Sequence, residues 1–480
     1  KFLGLGLGAA AAMAGGLLTA RGQVRAQELP DDRRFLFVFG AFGGASIIDS
    51  FLPLPASAVQ PPGDANTLLA YPDEAIIQPG GSNIRCVADL NLSDIFTSGH
   101  KPEDFLRSHV DNMAVLPCEV TSVNHIVAQK RAVTGAGVNA GKTIMEAMAE
   151  RHGSDMILPN CNMSSGGYVE PGDDFSLSER FRAEIIADPR FFALATHGYQ
   201  GLKDVPDKAL IERARGVRGE LEDLSHFGLT FKDAPRRGRF LDMRRNVQPR
   251  MEVADLIRTL VLLPDSPQTP LSDYGLAPLP DDERERLMNH LPALLTDPLE
   301  SQAALAFLLA RYQVSCALTF GPSFQPIITD QVLGTPLAFD FSHTDHVVAQ
   351  NVMWGRILGV IDGLVRLLKE QPYDDANPDR GSLWDRSLIY VATDFGRSKT
   401  RPSGSLSFGS GHDLNNGNLI ISPLVQGNRV WGGIDPTTAM TFGDRGDGTR
   451  TIFREGHTYS AIAHALDIDF NGRLDMDFIL

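Results

Sequence analysis

Residues 387–400, SLIYVATDFGRSKT, decide how the rest of the chain is read. The mostly apolar β-formers from Leu388 to Ala392 make a short run without alternation, the pattern of a strand buried on both faces of a parallel sheet. The run stops at Asp394 and, three residues further on, at Arg397. In open α/β sheets ligands sit beyond the carboxyl ends of the strands. An acid and a guanidinium just past such an end are therefore candidate site residues.

The same strand pattern recurs on either side. FLFVFG (35–40) runs into the glycine-rich turn AFGGAS, NMAVLPC (112–118) ends in Pro-Cys, and DMILPN, VSCALTFG and NLIISPLV follow. Helical spacing separates them. VNHIVAQKRAVTG has Thr121 or Ser122 as its N-cap candidate and Gly135 as its stop. GKTIMEAMAERHG, the long run HVVAQNVMWGRILGVIDGLVRLLKE and the closing HTYSAIAHALDI repeat the pattern. Strands alternating with helices predict a mainly parallel sheet covered on both faces, a three-layer α/β/α core. Residues 203–314 are dominated by helical signals and read as a helical insertion, while 53–100 read as a long ordered loop. With 43% hydrophobic and 21% charged residues the chain is of globular type, and 27–480 reads as one domain.

The first 26 residues hold an apolar Gly/Ala/Leu run between Lys1 and the pair Arg21 and Arg25, followed by Val-Arg-Ala, where a signal peptidase can cut after Ala26. They read as an export signal and resemble twin-arginine signals, in which KFLG commonly follows the arginine pair. The expected location is periplasmic or extracellular, with no membrane span in the mature chain. Removing the three positive charges of this segment takes the formal net charge from −15 to −18. Such an excess of carboxylates argues against nucleic acid or an anionic membrane as the main partner. Cys86, Cys118, Cys161 and Cys316 form no CxxC, which excludes zinc-finger and thioredoxin readings; one disulfide among the first three stays open, and Cys316 reads as a core thiol.

Two further constellations carry chemistry. FDFSHTDH places Asp340, His343, Asp345 and His346 within seven residues, a density of carboxylates and imidazoles that suits a divalent cation of zinc, manganese or iron type. Asp345 could equally cap the helix that begins near His346. SGSLSFGSGHDLNNGN ends in Gly411-His412-Asp413 ahead of a strand, so a polar, glycine-rich approach can return His412 to the same sheet edge. Gly40-Ala-Phe-Gly-Gly lacks the GxGxxG spacing of a dinucleotide loop, and GDRGDGT lacks EF-hand spacing. His100, His109, His152, His197, His226 and His290 read as surface or capping residues, and His457 as an outer group.

The order of these pieces, an Asp/His cluster, a long helix, a strand ending in Asp-Phe-Gly-Arg, a polar loop with Gly-His-Asp and another strand, resembles a family of exported bacterial proteins with a domain of unknown function, grouped with the alkaline phosphatase and sulfatase superfamily. The likeness extends to FVFGAFGGASIIDSF and to VNHIVAQKRAVTG, where the family has a histidine-bearing helix ending in Thr-Gly. It covers most of residues 33–470, the insertion excepted. Asp394 stands where the family often has glutamate, and the family's Asp-His is reversed to His412-Asp413. The resemblance implies an alkaline-phosphatase-like core in which Asp49, Asp340 or Asp345, His343 or His346, Asp394 and His412 approach one or two metal ions. It further implies a hydroxyl nucleophile at a helix start, where Thr121 and Ser122 stand, and Arg397 as receiver of the transferred anion. On that footing the expected function is hydrolysis of small or polymeric phosphate or sulfate esters, the alternative being a non-catalytic secreted binding or assembly protein of the same fold.

Overall fold

The computed structural model describes residues 29–90, 100–193, 207–234, 236–247, 260–274, 276–322, 338–402, 405 and 407–480. Eight strands form one sheet: β1 (Phe35–Ala41), β2 (Met113–Glu119), β3 (Asn160–Asn162), β4 (Glu184–Ile185), β5 (Ala317–Phe320), β6 (Ser387–Thr393), β7 (Asn415–Ile421) and β8 (Arg429–Val430). Their order across the sheet is β8-β2-β7-β6-β1-β5-β3-β4. All pairings are parallel except those of β7, which runs antiparallel to both β6 and β2.

β1, β6 and β7 are buried at every position. Continuous burial means that neither face of the sheet meets water. Two groups of helices, each packed within itself, supply the cover. One group is α1 (Pro102–His109), α4 (Pro298–Arg311) and α5 (His346–Glu370), with Asp281–His290 against α5; the other is α2 (His125–Thr134), α3 (Ile144–His152) and α6 (Glu455–Ala465). The protein is thus an α/β structure with a mostly parallel central sheet, as the alternating pattern predicts.

Within the region read as an insertion, Lys208–Leu224, His226–Thr230 and Arg237–Asp242 are helical and largely exposed. α4, which the sequence reading placed in the same insertion, instead buries every residue from Ala303 to Ala310 and packs on β5 and α5. Its run of Ala, Leu and Phe serves the core. The expected export signal (1–26) and His197 lie outside the described residues. Among the described residues no helix is long and apolar enough to cross a membrane. All four cysteines are buried and free. His109 and His152, read as surface or capping residues, are buried as well, paired with the Asp362 carboxylate at 2.7 Å and the Leu466 carbonyl at 2.7 Å.

The topology decides where side chains meet. β1 and β6 pair in register from Phe35 opposite Ser387 to Ala41 opposite Thr393, so the turn after β1 faces Asp394 directly. Because β7 is antiparallel, its first residues lie at the edge where its neighbours end. Residues just ahead of β7 therefore arrive at the same edge as residues just after β1, β2 and β6.

Candidate metal centre

Asp394 leaves the end of β6 and is completely buried. A buried carboxylate requires donors, and the glycine-rich turn after β1 provides them. The Gly44 N–H donates to Oδ1 at 2.6 Å and the Gly43 N–H to Oδ2 at 3.3 Å. Both glycines have positive φ, 96° and 83°, which lets successive amides point into one concavity. A Cβ on Gly43 would lie 2.3 Å from the Asp340 backbone nitrogen. The turn that fails as a dinucleotide loop thus cradles a carboxylate of its own chain.

Gln129 adds a 3.2 Å bond to Asp394 Oδ2, and His125 Nδ1 lies 2.8 Å from the same oxygen. A carboxylate only accepts, so Nδ1 carries the proton and His125 Nε2 is aimed the other way. There it lies 3.3 Å from Asp340 Oδ1. Asp340 and His343 belong to the short helix Ala338–His343 that precedes α5. His343 Nε2 is 3.5 Å from Asp340 Oδ1 and 2.9 Å from His412 Nε2. His412 is fixed by a two-stranded ribbon in which it pairs with Arg397, and its Nδ1 donates to the Val123 carbonyl at 2.8 Å, which turns Nε2 inward. Phe42 stacks on the His125 ring at 5.4 Å and Phe395 on the His412 ring at 4.1 Å.

His125, Asp340, His343 and His412 each offer one ligand atom, and these atoms all lie within 4.8 Å of one another. Such a group could hold a metal ion. Burial pushes the His343 and His412 imidazoles below their ordinary range, helped by the Arg397 guanidinium near both and by the charge of His125 near each. Burial acts in the same direction on His125, but hydrogen bonds and charges from Asp340 and Asp394 outweigh it and lift that imidazole to about 9. The hydrogen bond from His125 in turn holds Asp340 below the usual carboxylate range.

Of the residues singled out from sequence, Asp340, His343 and His412 meet in this group. His125 was absent from that set. The only signal for it was the histidine-bearing helix of the resemblance, because a single imidazole at a helix start reads as a cap or a surface group. Asp394 lies one step out, orienting His125. Arg397 is buried and holds three loops together, donating to the carbonyls of Gly43, Phe339 (3.3 Å) and Ser410 (3.3 Å), with Asp340 Oδ1 at 3.5 Å. Asp345 caps α5, its carboxylate accepting from the Val348 N–H at 3.3 Å.

Asp49 and His346 form a separate buried chain. His346 Nε2 donates to Asp49 Oδ1 at 3.0 Å, the Tyr71 hydroxyl donates to the same oxygen, and His346 Nδ1 lies 2.9 Å from Ser410 Oγ. Burial alone would raise the Asp49 carboxyl, but the charge and hydrogen bond of His346 hold it below its ordinary range. The chain pins the loop that leads to His412. Replacing His346 with leucine is expected to cost about 1–3 kcal/mol by leaving the buried Asp49 carboxylate without one of its hydrogen-bond donors. Metal stoichiometry at saturating metal should persist, so denaturant midpoint and metal content measured together separate this chain from the ligand group.

Thr121 and Ser122 precede the N-cap of α2, which is Asn124, whose side chain accepts from the Val127 N–H. Thr121 Oγ1 lies 2.7 Å from Glu455 Oε1 and accepts from Arg131 at 3.0 Å; Ser122 Oγ accepts from the Asn124 N–H at 3.2 Å. In comparison with known proteins, no protein-family model matches this sequence and no curated protein matches it. The functional reading therefore rests on these residues and their geometry.

Proposed function

We propose that the chain is an exported, metal-dependent hydrolase of phosphate or sulfate esters, with an alkaline-phosphatase-like core. The observation that supports this reading most is the convergence of His125, Asp340, His343 and His412 from three separate stretches of chain on one sheet edge. Three imidazole nitrogens and one carboxylate suit zinc first, and manganese or iron next. Neighbouring donors on a tetrahedral zinc stand about 3.3 Å apart, given metal–nitrogen bonds of about 2.0–2.1 Å. Three of the six separations, 2.9, 3.3 and 3.5 Å, bracket that spacing, and all six lie within 4.8 Å. Outer acceptors on His125 and His412 fix both rings, as metal-binding histidines require.

Because the four side chains fill a tetrahedral shell, a divalent cation held there would supply Lewis-acid polarisation of an ester oxygen by taking it as a fifth ligand. Within the protein, Asp394 holds His125 in the tautomer that directs Nε2 to the centre, and Arg397 sets the positions of Asp340 and His343 while adding positive potential. The first turn of α2 opens on the same edge and favours an anion. The Thr121 hydroxyl, 2.7 Å from Glu455, has the pairing of a nucleophile with a base.

A second reading, a secreted binding or assembly protein that keeps the fold and one ion, is favoured by those same hydroxyls. Glu455 Oε1 also accepts the Thr121 backbone N–H at 2.7 Å, which makes the contact an effective loop anchor. Zinc- or manganese-loaded protein assayed with 4-nitrophenyl phosphate and 4-nitrophenyl sulfate distinguishes them. Chelator-sensitive turnover supports the hydrolase, and metal bound without turnover of either ester supports the second reading.

Metal uptake should also release protons. At pH 7.5 the His125 imidazole, with its value near 9, is charged, whereas His343 and His412 are shifted toward the neutral form. Binding at Nε2 must expel that proton, so roughly one proton per ion is expected from calorimetry in buffers of different ionisation enthalpy. In the metal-free protein the same shift has the opposite sense: His125 adds stability that is fully present below about pH 6.5 and fades as the pH rises through about 9. Release of no proton at pH 7.5 would place the ion elsewhere.

A further inference from the structure

The helix Lys208–Leu224 repeats apolar residues at alternating spacings of four and three: Leu210, Ala214, Val217, Leu221 and Leu224. Such a repeat draws one narrow stripe along a helix, the seam of a coiled coil. Here the stripe lies open, with Leu210, Val217, Leu221 and Leu224 57%, 48%, 61% and 76% exposed. Leu210, Ala214, Val217 and Leu221 line one groove of about 720 Å³ together with Phe227. Among the described residues the helix packs chiefly on the short helix His226–Thr230, and Glu222 and Asp223 tie it to Arg244 and Arg237. Gly216 and Gly219 weaken it relative to alanine, and a 17-residue helix of this kind draws most of its stability from whatever packs on its apolar face.

We infer that this stripe binds the same stripe of a second copy of the chain, antiparallel, in a two-fold symmetric dimer. The flanking residues select both the occupant and the direction. Ala214 and Leu221 hold one seam position of the heptad and Leu210, Val217 and Leu224 the other, with Arg213 and Glu220 along one flank and Ile211 and Arg218 along the other. Antiparallel pairing sets Leu210 against Leu221 of the second copy and Ala214 against Val217 of the second copy, each layer occurring twice about the two-fold axis. In that register Arg213 lies beside Glu220 of the second copy, also twice, and Ile211 lies beside the aliphatic stem of Arg218. Parallel pairing would instead bring Arg213 beside Arg218 of the second copy, and like charges there repel. Arg213 and Glu220 are both exposed, so both can reach across. A helix that complements itself in its apolar layers and in its charges fits a copy of itself better than an unrelated apolar partner.

The test is sedimentation velocity of the full chain over about 1–100 µM, in which the wild type should shift with concentration from monomer to twice that mass. Leu221→Asp puts a charge into two of the four layers and should leave monomer at every concentration, with near-ultraviolet dichroism showing that the fold is kept. Arg213→Glu and Glu220→Arg lie at exposed positions where folding is not at stake. Each should weaken association about tenfold by turning two attractions into repulsions. Mixing these two variants should restore association, because each copy then meets the opposite charge at both pairs. A wild-type chain that stays monomeric throughout the range, a dimer indifferent to Leu221→Asp, or a mixture that associates no better than either variant alone would overturn the inference.

Discussion

Replacing His125 with alanine is expected to abolish stoichiometric metal binding. His125 is the only ligand of the group that arrives from the β2–α2 side of the sheet edge, and its Nε2 faces Asp340 Oδ1 at 3.3 Å because Asp394 holds Nδ1 at 2.8 Å. Loss of an outer partner alone lowers metal affinity about 10–100-fold, so loss of the ligand itself should exceed about 100-fold. Elemental analysis after dialysis, with a zinc titration, reads the effect. His346→Leu is the control from the neighbouring buried chain. If the alanine variant holds a full equivalent of metal while His346→Leu loses it, the ion lies in the Asp49–His346 chain and the assignment here is wrong.

The second large effect is expected at Asp394. Its carboxylate receives the amides of Gly43, Gly44 and Phe395, the Gln129 amide and His125 Nδ1, all in a fully buried place. Alanine would strand these donors together and should cost about 3–5 kcal/mol, since the charge of His125 loses its buried counterpart. Asparagine keeps the size and one acceptor. It should therefore keep the native fold by near-ultraviolet dichroism while lowering the denaturant midpoint less than alanine does, because its NH2 group faces donors and His125 loses its counter-charge, and it should weaken metal binding about 10–100-fold, because an amide cannot orient His125 as a carboxylate does. Unchanged metal affinity in Asp394→Asn would refute the orienting role; equal midpoints for alanine and wild type would refute the structural one.

The legible part of this site was local. FDFSHTDH declared its chemistry through density alone, and the strand ending in Asp394 declared its direction through the apolar run before it. Within FDFSHTDH, however, side chains at close spacing fall on different sides of the turn that opens α5. Asp340 and His343 face the cluster, Asp345 caps the helix and His346 points into the core. No spacing rule separates these, since the short helix Ala338–His343 and the cap geometry set the directions. α4 shows the same limit at larger scale: its composition reads as helix, but whether it belongs to an insertion or to a layer depends on what lies beside it.

The sequence by itself determined the strands, the helices that cover them and the residue types gathered at one sheet edge, because each of these follows from periodicity and local propensity within about ten residues. What only the tertiary structure decided was partnership. The reversed direction of β7 brings His412 to the edge where β1, β2 and β6 end, the left-handed Gly43–Gly44 turn supplies amides to Asp394, and together they make His125 a candidate ligand while withdrawing Asp49 and His346 into the core. Contacts at this edge between residues as much as 354 positions apart along the chain arise from strand order and direction, which are set by the packing of the whole sheet rather than by any one segment.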